Sequence, residues 1–193
     1  MLGGAGVFGV LKLTGEDGTA SGGTSAGASG GTGTTDGKGS GAPLPAGWTK
    51  VVDPAGFTLY VPQGWRRQVD GDQIDYTPDN GKHFIRIASD TTPDYENPYV
   101  HVLDLEKQVS RRTDYKRQKL NQNTFRDSTR AAIWEFTWTE KGVHAGPRRS
   151  IEQMYFAPDG TEYAVYMSGP AADWETTRAQ FDTVLSGWAP PEG

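Results

Sequence analysis

Residues 56–87, GFTLYVPQGWRRQVDGDQIDYTPDNGKHFIRI, constrain the fold more than any other stretch, because alternating apolar segments are set apart there by two strong turn signals. Asp70-Gly71 and Asn80-Gly81 reach positive φ at little cost, as two-residue hairpin turns require. Phe57, Leu59 and Val61 alternate with Thr58 and Tyr60, Ile74 and Tyr76 flank Asp75, and Ile85 shares a face with Ile87. Such period-two patterns belong to strands with one buried face. The stretch therefore predicts one strand meander, with Pro62-Gln63-Gly64-Trp65 as a turn inside it.

The chain of 193 residues divides by composition. From Thr14 to Ala46 it is almost entirely Gly, Ser, Thr and Ala, with no apolar residue able to anchor a core before Leu44, whereas all six Trp follow Gly47. Segment 14–46 cannot bury enough apolar surface to offset its ordering entropy, which predicts a disordered linker spanning on the order of 30 Å. The globular unit is residues 47–190, long enough for a substantial core. Ahead of the linker, the apolar stub 1–13 contains LGGAGVFGVLKL. It falls short of the about 20 residues that a membrane helix needs. It reads either as the end of a transmembrane helix begun upstream of Met1, giving membrane association through a segment upstream of Thr14, or as a disordered apolar tail. Two motif matches here lack their context. Gly4 to Gly9 fits G-x-G-x-x-G without a preceding strand, and Gly23 to Gly27 fits G-x-S-x-G inside a flexible tract.

Within the globular unit, Thr49–Asp53 predicts a first strand. Asn97-Pro98 suits a helix start, Asn as cap and Pro in the first turn, with a helix to about Arg112. Val102, Leu105 and Val109 form its buried stripe, and Asp104, Glu106 and Lys107 its wet face. Lys116–Phe125 reads as an edge strand, and Ala131–Thr139, with Trp134, Phe136 and Trp138 on one face, as the centre of the sheet. Arg149–Ala157 and Thr161–Ser168 flank the Pro158-Asp159-Gly160 turn, and Asp173–Trp188 is an amphipathic helix. The fold class is α+β, an antiparallel β-sheet of six to eight strands in meanders, covered by two helices.

A formal net charge of -5 argues against nucleic acid as a partner. The basic pairs Arg66-Arg67, Arg111-Arg112, Lys116-Arg117 and Arg148-Arg149 read as solvated faces. Without cysteine there is no disulfide and no thiolate metal site. His83, His101 and His144 show no metal-ligand spacing and read as surface or rim histidines, and the carboxylate pairs Asp70/Asp72 and Asp94/Glu96 as turn and cap residues. No catalytic, cofactor-binding or metal residue is assigned, and no cofactor is expected. The aromatic residues exceed what one sheet face needs, which nominates a small-ligand pocket between sheet and helix formed by Trp65, Arg67, Tyr76, Arg86, Trp134, Trp138 and Tyr166.

Gly56-Phe57, Val61-Pro62-Gln63-Gly64-Trp65, Asp70-Gly71-Asp72, Tyr76 and Ile85-Arg86-Ile87, followed by Trp134-Glu135-Phe136-Thr137 and Asp173-Trp174, resemble the C-terminal extracytoplasmic domains of actinobacterial receptor-type serine/threonine protein kinases. The resemblance covers residues 47–189 and implies a PsbP-like α/β/α sandwich, shared with small actinobacterial lipoproteins, behind one transmembrane helix and a low-complexity linker. It carries no catalytic residue over. The chain has no β3 lysine motif, no H-R-D loop and no D-F-G.

The resulting expectation is a non-catalytic, monomeric sensor or interaction domain on the extracytoplasmic side of the cell membrane, the outside end of a receptor-type kinase, recognising a ligand or envelope component not specified by the sequence. The alternative is a free-standing secreted or cell-envelope small-ligand-binding protein with an aromatic pocket. A small hydrolase would need a nucleophile and base that no motif supplies.

Overall fold

The computed structural model describes residues 43–71 and 73–192. The apolar stub and nearly all of the linker segment lie outside the described residues. The elements are β1 (Trp48–Val52), β2 (Thr58–Pro62), β3 (Arg66–Asp70), β4 (Gln73–Thr77), β5 (Phe84–Asp90), α1 (Pro98–Val109), β6 (Lys116–Phe125), β7 (Ser128–Glu140), β8 (Gly146–Phe156), β9 (Glu162–Pro170), a short 3-10 turn (Ala171–Asp173) and α2 (Trp174–Gly187). Seven strands form one antiparallel sheet in the order β3-β4-β5-β9-β8-β7-β6, within the expected six to eight. β1 and β2 stand apart as a two-stranded hairpin.

The α+β class and the two covering helices are as expected, but the opening stretch is not one meander. β3, β4 and β5 pair in succession, whereas β2 pairs with β1 and with no strand of the main sheet, so Pro62 to Trp65 carries the chain from the hairpin into the main sheet. The turn chemistry holds in modified form. Asp70 pairs with Gln73 across a two-residue loop that begins at Gly71, with φ 58°. Asn80 and Gly81 both take positive φ, 56° and 91°, inside a six-residue loop rather than a two-residue turn. Thr77 Oγ1 accepts the Gly81 N–H (2.8 Å) and Asp79 Oδ1 the His83 N–H (2.8 Å), which satisfies the longer loop.

α1 begins where its cap dictates. Asn97 is extended, its side-chain oxygen accepts the Val100 N–H (3.1 Å), and Pro98 fills the first helical position. Alternation along the strands gives the sheet two buried faces. Tyr76, Ile85, Ile87, Ile151, Tyr155, Val165 and Met167 point to one side, where α2 (Phe181, Val184), Trp188 and the β1–β2 hairpin (Leu59, Val61) cover them. Phe84, Ala88, Trp134, Phe136, Trp138, Met154, Ala164 and Tyr166 point to the other, under Val102, Leu105 and Val109 of α1. The molecule is an α/β/α sandwich with two cores.

Two expectations need correction. β7 is not the centre of the sheet: that place belongs to β9, and β7 lies one strand from the β6 edge. α2 covers the face opposite to Trp134, which packs in the α1 core. Glu106 does not face water, because α1 turns it toward β6, where Arg117 and the Tyr115 hydroxyl hold its carboxylate and it is buried.

Candidate functional site

Five residues stand directly opposite one another across β4, β5, β9, β8 and β7 on the α1 face: Asp75, Arg86, Tyr166, Glu152 and Trp134. Period-two alternation puts them on one face, and antiparallel register puts them in one row. Arg86 clasps Asp75 with two bonds of 2.7 Å, from Nε and Nη2. Tyr166 donates its hydroxyl to Ser150 Oγ (2.7 Å). Glu152 is buried without such help. Burial, and then the neighbouring Glu162 charge, push its pKa up to about 8, and Oε2 has no hydrogen-bond partner among the described residues. At neutral pH its acid form is the main species.

Four residues before Tyr166 on β9, at the start of the strand, Glu162 meets α1. His101 Nδ1 lies 2.7 Å from Glu162 Oε2, both side chains are buried, and the Tyr95 ring stacks on the imidazole at 4.2 Å. The pair fastens the first turn of α1 to the central strand. Arg86 Nη1 and Glu162 Oε1, like Glu152 Oε2, are buried without a partner among the described residues. Gln73, Arg86, Ala88, Leu105, Glu152, Ala164 and Tyr166 enclose a cavity of about 20 Å³. That volume admits a single water molecule and no organic ligand.

The seven residues nominated for an aromatic pocket do not share one. Arg67 and Tyr76 lie on the α2 face and converge on Asp53, which accepts from Arg67 Nε (2.7 Å) and Nη2 (3.0 Å), the Tyr76 hydroxyl (2.5 Å) and the Ala55 N–H (2.8 Å). Burial alone would raise the Asp53 pKa, but these bonds outweigh it and hold the carboxyl below its ordinary value. Their effect is to tie the β1–β2 hairpin to β3 and β4. Trp65 is half-buried against the same core. Arg86, Trp134, Trp138 and Tyr166 lie on the opposite face, where the rings pack on one another: Trp134 stands 4.2 Å from Phe136, and Trp138 Nε1 donates to Ser150 Oγ (3.4 Å). Only Arg86 and Tyr166 line the small cavity.

His101, Arg148, Glu152 and Glu162 were not singled out as buried. His101 and Arg148, read as rim and solvated residues, are in fact buried. One signal was available for His101, which stands four residues before Leu105 and so falls on the helix stripe. The strand glutamates carried none, because β8 and β9 are buried on both faces and their alternation is hidden. Among the described residues no group of three or more His, Asp or Glu side chains could hold a metal ion.

A model of the serine/threonine kinase C-terminal domain matches residues 49–190. The chain belongs to the serine/threonine kinase C-terminal domain family. The match spans the folded unit from β1 to just beyond α2, so this kinase C-terminal domain and the two-core sandwich are the same object. Among solved structures, cyanobacterial PsbP (CyanoP) from Synechocystis sp. aligns with 82% of this chain and 98% of its own at 13% identity and a TM-score of 0.54. LpqN, involved in cell envelope biogenesis of Mycobacterium tuberculosis, aligns with 74% of this chain and 89% of its own at 15% identity and a TM-score of 0.49. No curated protein matches the chain. The PsbP-like architecture that the sequence resemblance implied is thus the fold of this kinase C-terminal domain.

Proposed function

We propose that this kinase C-terminal domain is a non-catalytic sensor or interaction module, held on the extracytoplasmic side of the cell membrane as the outer end of a receptor-type serine/threonine kinase. The family match over residues 49–190 carries the reading, because it assigns the whole folded unit to a kinase C-terminal domain. The Gly-, Ser- and Thr-rich segment 14–46 that precedes it has the composition of a tether. No described helix is long and apolar enough to cross a membrane, so the membrane segment in this proposal lies upstream of Thr14. The free-standing ligand-binding alternative needs a common aromatic pocket, and the aromatic residues nominated for one lie on two opposite sheet faces.

Sidedness can be measured directly. The chain contains no cysteine, so Lys107→Cys, at an exposed position of α1, places a single thiol on the domain. In intact cells producing the full-length parent, a membrane-impermeant maleimide should label this segment as fully as it does after lysis. Labelling only after lysis would overturn the extracytoplasmic placement.

A further inference from the structure

We infer that the cavity beneath the β7–β8 loop is a binding site for a small organic anion, with Arg148 as its buried cation. Arg148 follows Pro147 near the start of β8 and is only 3% exposed. Its Nε and Nη2 donate to Ser168 Oγ (3.3 and 3.1 Å), and Nη2 also to the Lys82 carbonyl (2.9 Å). Both acceptors are neutral. Nη1 makes no hydrogen bond among the described residues, and the guanidinium carbon lies 5.8 Å from the ring centroids of both Phe84 and Trp138.

Comparison with Arg86 shows what is missing. Arg86, 6% exposed, holds Asp75 through two bonds, whereas Arg148 is more deeply buried and, among the described residues, has no carboxylate at ion-pair distance. Glu140 and Asp79 act on it only from farther away. A charge taken out of water without a counter-ion is costly, and burial accordingly weakens the hold of Arg148 on its proton. An anion supplied from outside removes that cost.

Space for it is present. A cavity of about 550 Å³ opens beside Arg148, walled by Lys82, His144, Gly146, Pro147 and Pro170 among others, with no carboxylate among the residues that line it. The volume falls in the range of small-molecule sites, unlike the single-water cavity under α1. Lys82 brings a second positive charge at the exposed rim. His144 Nε2 lies 3.0 Å from the Asn80 carbonyl, which can only accept, so that nitrogen carries the proton and the ring is held in place. Pro147, Pro170 and the exposed Val143 supply apolar wall. The ligand class is therefore a small molecule with a phosphoryl or carboxylate head and a short apolar body. The inference rests on residues 79–172 of the folded unit and not on the kinase reading or on which side of the membrane the domain lies.

The test is a titration of the full 193-residue chain by amide NMR with inorganic phosphate, then with acetate, using sodium chloride at matched ionic strength as reference. Expected are saturable shifts at Val143, Ala145 and Gly146 with phosphate or acetate, the stronger of the two telling phosphoryl from carboxylate ligands. Lys82→Ala should weaken that binding by about three- to tenfold, the size of one solvent-screened charge contact. Arg148→Met, which keeps the packing between Phe84 and Trp138, should abolish it in a folded protein. If Arg148→Met does not fold, Lys82→Ala decides alone. Shifts that track ionic strength alike for all three salts overturn the inference, as does saturable binding left unchanged by the folded variants.

Discussion

Gly187, the last residue of α2, is glycine for reasons of space. A Cβ there would stand 2.2 Å from Cγ of the Tyr60 ring and 2.4 Å from Cδ1. Tyr60 is buried on the β1–β2 hairpin, so the ring has no open volume to swing into. Helix propensity alone would make Gly187→Ala stabilising by up to about 1 kcal/mol. Overpacking works in the opposite sense, and we predict a net loss of about 2 kcal/mol or more in urea unfolding. A variant as stable as the parent would show that the hairpin can lift from the helix. Nothing in the local sequence marks Gly187 as a packing position, because the partner ring is far away along the chain. Arg148 and Glu152 were illegible for the same reason. Whether a charged side chain meets water or the interior is decided by which strand and helix cross over it, and no local pattern records that.

Local signals served better for elements than for their order. Asn97-Pro98 started α1 where expected, and the 158–160 turn separated β8 from β9 as expected. The strand order was legible only in part. β7 carries the heaviest apolar run and looked central, yet α1 buries even a strand next to the edge, while the true centre, β9, is marked by burial on both faces. That two-sided burial makes Glu152 on β8 expensive when charged. Its carboxyl titrates near 4.5 in the unfolded chain and about 8 in the folded one, raised by burial and then by Glu162. Between those values the folded state binds more protons, so this contribution is fully present below pH 4.5 and is lost as pH rises through 8. Arg86, Tyr166, Glu162 and His101 stand on the same face, and Oε2 of Glu152 bonds to none of them. Glu152→Gln keeps the shape and removes the titration. Its unfolding free energy should vary less from pH 5 to 8 than that of the parent, with a gain of about 1 kcal/mol or more at pH 8. An unchanged slope would place the charge elsewhere.

At the scale of the molecule, the β1–β2 hairpin is a roof rather than part of the main sheet, and the C-terminal segment locks it down. Phe57 packs on Trp188 with ring centroids 5.2 Å apart, Trp188 Nε1 donates to the Tyr155 hydroxyl (2.8 Å), and Thr58 and Ala189 exchange two backbone bonds of 2.8 Å. Asp53 fastens the other end through Arg67 and Tyr76. The roof begins at Trp48, whose N–H bonds back to the Pro45 carbonyl, so the first stabilising contacts of the described chain fall within a few residues of Pro43. A chain starting at Pro43 should therefore melt within about 2 °C of the full chain when followed by circular dichroism. One starting at Val52 loses most of β1, the Trp48 and Val51 packing and the partners of β2, and should melt roughly 5–10 °C lower. The two truncations locate the boundary of the folded unit. A large loss on removing residues 1–42 would show that the compositional border at Ala46 is not where folding begins, and no loss on removing β1 would show that β2 closes the α2 core by itself.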